Sequence, residues 1–390
     1  MSNSGSNLDR LRRSNLATVL GIVHRTRSVS RAQITAETGL YRSTVGALVT
    51  ELEALGLVVE GEPEATNRVG RPSPLVTPAP GPVAISVNPE VDAVTLGVVG
   101  LGARVEQRVR HPVSSPRTPE ETVEIVRSIL EDLRAGPLRT RRIAGIGIAV
   151  PGLVRTADGL VRLAPHLGWR DAPLTRLFEE ELRLPTVADN DASLGALAEH
   201  LFGVGRGVDD IVYLNGGASG IGGGVITDGR PLRGAGGYAG EFGHNRPAVA
   251  DRVSESGALE DEVSRARLLA AAGLPVADEP TLARALLGST DATVRAELAR
   301  QRRVLATALS NAANVLNPSL IVLGGFLATL HASDPVGLAG LVAEQTLPPA
   351  AEGVRIRPAA LGEDRLLIGA AELVFAPLLA DPAAGAGHRS

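Results

Sequence analysis

Leu16, Val19, Leu20 and Val23 recur at i, i+3, i+4 and i+7, the spacing of one buried helix face. Ser30 with Gln33 three residues on is a capping box, so a second helix begins there and ends at Thr38-Gly39. A third apolar series, Val45, Leu48, Val49, Leu52 and Leu55, predicts a third helix with Gly56 just past its end. Tyr41 occupies the cap position where Ser or Thr is usual, so this helix starts at Arg42 or at Ser43. Next come Leu57-Val58-Val59-Glu60 and Pro74-Leu75-Val76-Thr77, read as two short strands around a tip holding Arg68, Gly70, Arg71 and Pro72. Three helices with a Gly-containing turn, then a two-stranded wing, predict a winged helix-turn-helix over residues 1–78.

A Pro/Gly linker, Pro78 to Pro82, changes the rhythm. Beyond it strands alternate with helices. Strands are predicted at Val83–Val87, Val94–Val99, Ile143–Val150, Thr186–Ala188, Ile211–Leu214, Gly222–Thr227 and Leu320–Leu323. Helices are predicted at Thr118–Arg134, Ala192–His200 and Ala296–Leu316. The class is α/β.

Charge is uneven along the chain. The whole protein carries 39 basic and 43 acidic residues, net −4. Up to Leu48 there are seven Arg residues (10, 12, 13, 25, 27, 31 and 42) against Asp9 and Glu37, so 7 − 2 = +5. A local excess of this kind suits a polyanion. The outer face of the third helix carries Arg42, Ser43, Thr44, Ala47 and Thr50, and recognition helices offer their N-terminal residues to base edges. The candidate DNA-contacting residues are Arg31, Arg42, Ser43, Thr44 and Ala47, with Arg68 and Arg71 in the wing, where Gly-Arg-Pro is slim enough for a minor groove. A three-helix module that binds protein or dimerises is the alternative.

Absent residue types exclude whole chemistries. There is no Cys and no Lys: every basic residue is Arg. Disulfides, thiol nucleophiles, Cys-ligated zinc, a Walker lysine and Schiff-base catalysis are all ruled out. The longest near-apolar runs, such as Leu320–Leu330, are short of the roughly 18–20 residues a membrane span needs. The polar start with no cleavage pattern predicts a cytoplasmic protein.

Three constellations are able to carry chemistry. Asp189-Asn190-Asp191 lies at a strand end before a helix, where it binds a ligand hydroxyl, acts as a base or simply caps the helix. Asn215 to Gly224 is glycine-rich and is either a phosphate cradle or a tight hairpin turn. Glu241-Phe242-Gly243-His244 places a carboxylate and an imidazole three residues apart, a polyol contact or a surface turn, with Glu260 as a further carboxylate.

Taken in order, these pieces resemble the ROK family (repressors, open reading frames, kinases). In the first module the match runs from Ser30-Arg31-Ala32-Gln33 through Thr38-Gly39-Leu40 and Gly56-Leu57-Val58 to Gly70-Arg71-Pro72. In the second it includes Gly145 to Gly152, Ala164 to Trp169, Asn190-Asp191-Ala192, Gly220 to Gly224, Glu241 to His244 and Ile321 to Gly325. The resemblance implies a winged helix-turn-helix followed by a two-lobed actin-like (ribonuclease-H-like) sugar-kinase fold. It divides the chain into the DNA-binding domain 1–78, a first lobe 79–196 to which a C-terminal helix 366–380 returns, and a second lobe 197–365. It implies sugar contacts at Asn190, Asp191, Glu241, His244 and Glu260, with Asp191 matching the kinases' general base.

Two departures stand out. ROK kinases open this module with an Asp-x-Gly-Gly-Thr phosphate loop, which reads Val87-Asn88-Pro89-Glu90 here, so no kinase activity is expected and Asp191 is a vestigial base. The family's His-plus-three-Cys zinc site keeps only His244, so no metal and no cofactor are expected. The resulting reading is a regulator, a repressor of sugar uptake or catabolism genes. It acts as a homodimer or dimer of dimers on an inverted-repeat operator in double-stranded DNA, with a sugar effector. A sugar kinase with a fused DNA-binding domain, and a ligand-independent regulator with a vestigial pocket, are the alternatives.

Overall fold

The computed structural model describes residues 3–61 and 73–384, with side chains from residue 9 onward. The first module contains α1 (Asn3–Thr26), β1 (Val29–Ser30), α2 (Arg31–Thr38), α3 (Arg42–Ala54), β2 (Val58–Gly61) and β3 (Leu75–Pro78). Leu16, Val19, Leu20 and Val23 bury their shared face with Ile34, Val45, Val49 and Leu52. The α2 capping box forms in both directions, and Gly39 closes the helix at φ 69°, a left-handed conformation that glycine adopts without strain. The wing is a three-stranded antiparallel sheet in the order β1-β3-β2. The two-residue β1 was not among the predicted strands.

The remaining elements begin with β4 (Pro82–Pro89), β5 (Ala93–Gly100), β6 (Arg104–Pro112), α4 (Pro119–Ala135), β7 (Arg142–Val150), β8 (Leu153–Val154), β9 (Val161–Ala164) and β10 (Trp169–Ala172). They continue with α5 (Leu174–Leu182), β11 (Thr186–Asn190), α6 (Asp191–Phe202), β12 (Ile211–Gly217), β13 (Gly220–Thr227) and β14 (Arg230–Pro231). The chain then turns mostly helical, through α7 (Leu259–Glu262), α8 (Arg265–Ala271), α9 (Glu279–Leu287) and α10 (Ala292–Leu316). After β15 (Leu320–Gly325) come α11 (Phe326–Ser333), α12 (Pro335–Gln345), α13 (Pro348–Gly353), β16 (Arg355–Pro358) and α14 (Arg365–Ala380).

The chain forms two compact units, Met1–Ile148 with Leu174–Ala188 and Ala370–Ser390, and Ala149–Pro173 with Asp189–Gly369. The first unit joins the winged helix to a five-stranded sheet, β11-β7-β4-β5-β6. β4 and β5 are buried along their whole length and pair antiparallel, while β4 and β7 run parallel, Ile85 beside Ile146. Gly147 is required by its neighbour: a Cβ there would stand 2.1 Å from the carbonyl oxygen of Ala370 on α14. One buried contact ties α1 to this sheet. His24, 1% exposed, faces the Glu372 carboxylate through Nε2 at 3.0 Å, while its Nδ1 accepts the Gly102 N–H at 2.9 Å. An Nδ1 that accepts leaves the proton on Nε2, so the imidazole donates to Glu372.

The second unit has its own five-stranded sheet, β14-β13-β12-β15-β16, with β12 and β13 as a hairpin and β12, β15 and β16 parallel. Val212, Leu214, Ile321 and Leu323 from this sheet pack with Val304, Leu305 and Leu309 of α10 in one apolar core.

Candidate DNA-binding face and effector site

α3 begins at Arg42, with Tyr41 at its N-cap making no side-chain cap bond. Arg42, Ser43 and Ala47 are exposed and Thr44 half-buried, while Val45, Leu48 and Val49 face inward. The first turn of α3 therefore presents a polar, cationic edge and keeps its apolar face in the core. Tyr41, 83% exposed at the head of this edge, is a candidate contact that cap statistics flagged only as an irregularity. Arg31 comes close to α3, where a Cβ on Gly46 would stand 3.4 Å from its Nη1. It starts α2, and its guanidinium is paired with Glu60 of β2, so its charge is already committed within the module. Arg68 and Arg71, with Gly70 and Pro72, lie outside the described residues.

The five residues expected to hold a sugar all lie in the second unit. Asn190 caps α6: its Oδ1 accepts the Ser193 N–H at 2.9 Å, and its Nδ2 donates to the Gly152 carbonyl at 3.1 Å. The capping and ligand readings of this segment are thus compatible, since capping locks the amide in one orientation. Asp191, half-buried, opens α6, and its Oδ1 accepts the Ala192 N–H at 2.8 Å. Burial pushes its pKa up to about 6, the Ala192 N–H and the Arg365 charge opposing this and Glu241 adding to it. Burial also raises the Glu241 carboxyl, with His244 opposing and Glu260 reinforcing the shift. The His244 ring lies 4.0 Å from Glu241 Oε2 and 3.6 Å from Glu260 Oε1. Glu260 Oε2 in turn accepts the Ile221 N–H at 3.3 Å. Glu241, His244 and Glu260 are thus one cluster, electrostatically linked to Asp191. Three carboxylates and an imidazole are acceptors first, a set suited to hydroxyl donors and unsuited to an anion. Asp189 stands apart, 4% exposed and bonded to Arg233, a pairing that its place in the Asp-Asn-Asp run did not reveal.

The glycine run is a hairpin. β12 and β13 pair up to Gly217 beside Gly220, leaving Ala218 and Ser219 as the turn. Its glycines admit close neighbours on both faces. A Cβ on Gly222 or Gly224 would stand 2.7 Å from the Cβ of Ala192 or Ala196 of α6, and one on Gly223 would strike Phe242. The same packing sets Asp191 beside the hairpin and carries the turn that holds Glu241 and His244.

The ROK family matches residues 85–376, well over half of the chain. This chain belongs to the ROK family. A putative xylose repressor from Caldicellulosiruptor sp. (strain Rt8B.4) is 29% identical over 378 residues, covering 91% of this chain and 94% of its own. A solved ROK family transcriptional regulator, a homolog of the E. coli MLC protein, superimposes with a TM-score of 0.76 at 22% identity, covering 95% of this chain and 97% of its own. The ROK family glucokinase from Streptomyces griseus, solved with glucose and AMPPNP, superimposes with a TM-score of 0.60 at 25% identity over 75% of this chain and 98% of its own. The architecture is accordingly a winged helix-turn-helix ahead of an actin-like α/β fold.

The β4–β5 connection is tied within itself. Glu90 N–H bonds the Ala93 carbonyl at 2.8 Å, and Glu90 Oε2 accepts the Thr95 hydroxyl at 2.9 Å. Where the ROK zinc site would lie, the residues present do not fit one. Cysteine is absent, and no group of three or more His, Asp or Glu among the described residues is arranged to hold a metal. The segment after His244 is organised instead by Glu262, a residue that its sequence context did not single out. Among the described residues, no single helix is long and apolar enough to cross a membrane.

Proposed function

We infer that this ROK protein is a sequence-specific DNA-binding transcriptional repressor of sugar uptake or catabolism genes, with a sugar or sugar derivative as effector. The observation that carries the reading is the near full-length match to a putative xylose repressor, joined to a winged helix whose α3 exposes Arg42, Ser43 and Ala47 on its first two turns. In this reading residues 1–78 bind DNA, with Arg42 reading a base edge and Arg31, Ser43, Thr44, Ala47, Arg68 and Arg71 completing the contact. The protein works in the cytoplasm as a homodimer on an inverted repeat with half-sites about 10 bp or a multiple apart. Asn190, Asp191, Glu241, His244 and Glu260 hold the sugar. The effector acts by binding one conformation of the repressor better than the other. Sugar phosphorylation is not part of the function, because Pro89 and Glu90 replace the backbone cradle that positions a phosphate and bring negative charge to it.

The test is selection of genomic fragments by the purified protein at about 150 mM salt, which sets the non-specific background. An enriched inverted repeat, lost when residues 1–78 are removed, is the expected result. No enrichment by the intact protein would overturn the regulator reading. Release of that operator by D-xylose or D-glucose, abolished in Glu241→Ala, would support the effector site. A response untouched by Glu241→Ala would refute it.

A further inference from the structure

The segment between His244 and Glu260 closes on itself: the Leu259 N–H bonds the Asn245 carbonyl at 2.8 Å, so residues 246–258 leave and return at one neck. The chain re-enters α7, a single turn with three carboxylates, of which Asp261 accepts the Ser256 hydroxyl of the loop and the other two have opposite duties. Glu260 meets His244 and the Ile221 N–H. Glu262 is fully buried. Its Oε1 accepts the Ser254 N–H and the Ser254 hydroxyl, both at 2.8 Å. Its Oε2 accepts the Val253 N–H at 3.0 Å and Arg300 Nη1 at 3.1 Å. Arg300 Nη2 also reaches the Glu262 carbonyl at 2.6 Å, and Glu297 holds the same guanidinium from the other side at 3.0 Å.

Burial by itself would raise the Glu262 pKa, but the Ser254 and Val253 groups and Arg300 hold it below the usual carboxylate range. A buried carboxylate with this many donors is a rigid anchor. Its donors come from both the loop and α10, so it fixes the loop to the core and thereby fixes α7.

Resting on the effector reading above, we propose that Glu262, braced by Arg300, is the positioning residue of the sugar site. It holds the 246–258 loop and α7 so that Glu260 and His244 face the same ligand, and it does so with no metal. It touches no sugar itself.

The experiment compares wild type, Glu262→Ala, Glu262→Gln and the milder Ser254→Ala, all full-length. Calorimetry with D-xylose and D-glucose is paired with amide hydrogen exchange over residues 246–262. Expected are a loss of about tenfold or more in sugar affinity for Glu262→Ala and a few-fold loss for Ser254→Ala. Faster exchange should be confined to 246–262, with Glu262→Gln recovering part of both effects. EDTA should leave wild-type affinity unchanged. Unaltered exchange in this segment in both Glu262→Ala and Ser254→Ala would overturn the proposal, as would unaltered affinity despite loosened exchange, or loss of wild-type affinity on chelation. Should Glu262→Ala fail to fold, Ser254→Ala tests the proposal by the same two readouts, affinity and exchange. A wild type that binds neither sugar would count against the effector reading, and the positioning role with it. Exchange loosened by Glu262→Ala would then show only that the anchor holds the loop.

Discussion

Each of the two five-stranded sheets contains an antiparallel hairpin, and the two have had opposite fates. The β12–β13 hairpin keeps glycine at 220, 222, 223 and 224, whereas the β4–β5 hairpin turns through Pro89-Glu90-Val91-Asp92. The difference lies in what needs the space. In β12–β13 the chain itself occupies it: Ala192, Ala196 and Phe242 stand where side chains would go. In β4–β5 the turn is filled by its own side chains, the Thr95 hydroxyl donating to Glu90. Glycine stands where a neighbouring backbone or side chain leaves no room for a Cβ, and side chains fill the turn where there is room.

This contrast can be broken by substitution. The largest effect is expected at Gly224, where a Cβ would also lie 3.0 Å from the Ala192 carbonyl oxygen. Gly224→Val should lower stability by about 3 kcal/mol, read from denaturant unfolding, because helix backbone cannot yield as a side chain does. A loss below about 1 kcal/mol would show that the hairpin's glycines are not packing devices. Next is Asp191, brought beside Gly222 by the same packing. Its folded-state pKa of about 6 lies above the ordinary 3.8. Its contribution to stability is therefore fully present below about pH 4 and is lost as pH rises through 6. Asp191→Asn should be more stable than wild type at pH 8 by about 2 kcal/mol, after allowance for partial exposure, and equal to it near pH 3.5. An equal gap at both pH values would refute the shift. The smallest effect belongs to the other hairpin: Pro89→Gly with Glu90→Gly should change stability by about 1 kcal/mol or less. A several-fold larger loss would mean that the altered turn has become part of the core.

What could be read from sequence was local. The Ser30–Gln33 capping box, the α3 series and the Thr118 start of α4 each rest on residues within one or two turns, and each appears in the structure. β6 went unread because it is an edge strand whose exposed and half-buried positions carry charge, so no apolar alternation marks it. The one-turn α7 is too short for any periodicity. At the sites, Glu241 with His244 was visible as a spacing of three. Asp189 with Arg233 and Glu262 with Arg300 were not, since the partners lie 44 and 38 residues apart and only the fold unites them. The pairing of Arg31 with Glu60 was hidden for the same reason, the two being distant in sequence.

The bond between His24 and Glu372 spans 348 positions of the chain. During synthesis the three helices of the first module emerge first, and domains generally begin to fold as they appear. The buried imidazole of α1 has no acid to meet until α14 leaves the ribosome. A polypeptide cut short between Ala54 and Glu372 carries all three helices of the first module without this anchor to α14. Completion of the chain, rather than of the first module, is the event that supplies this contact.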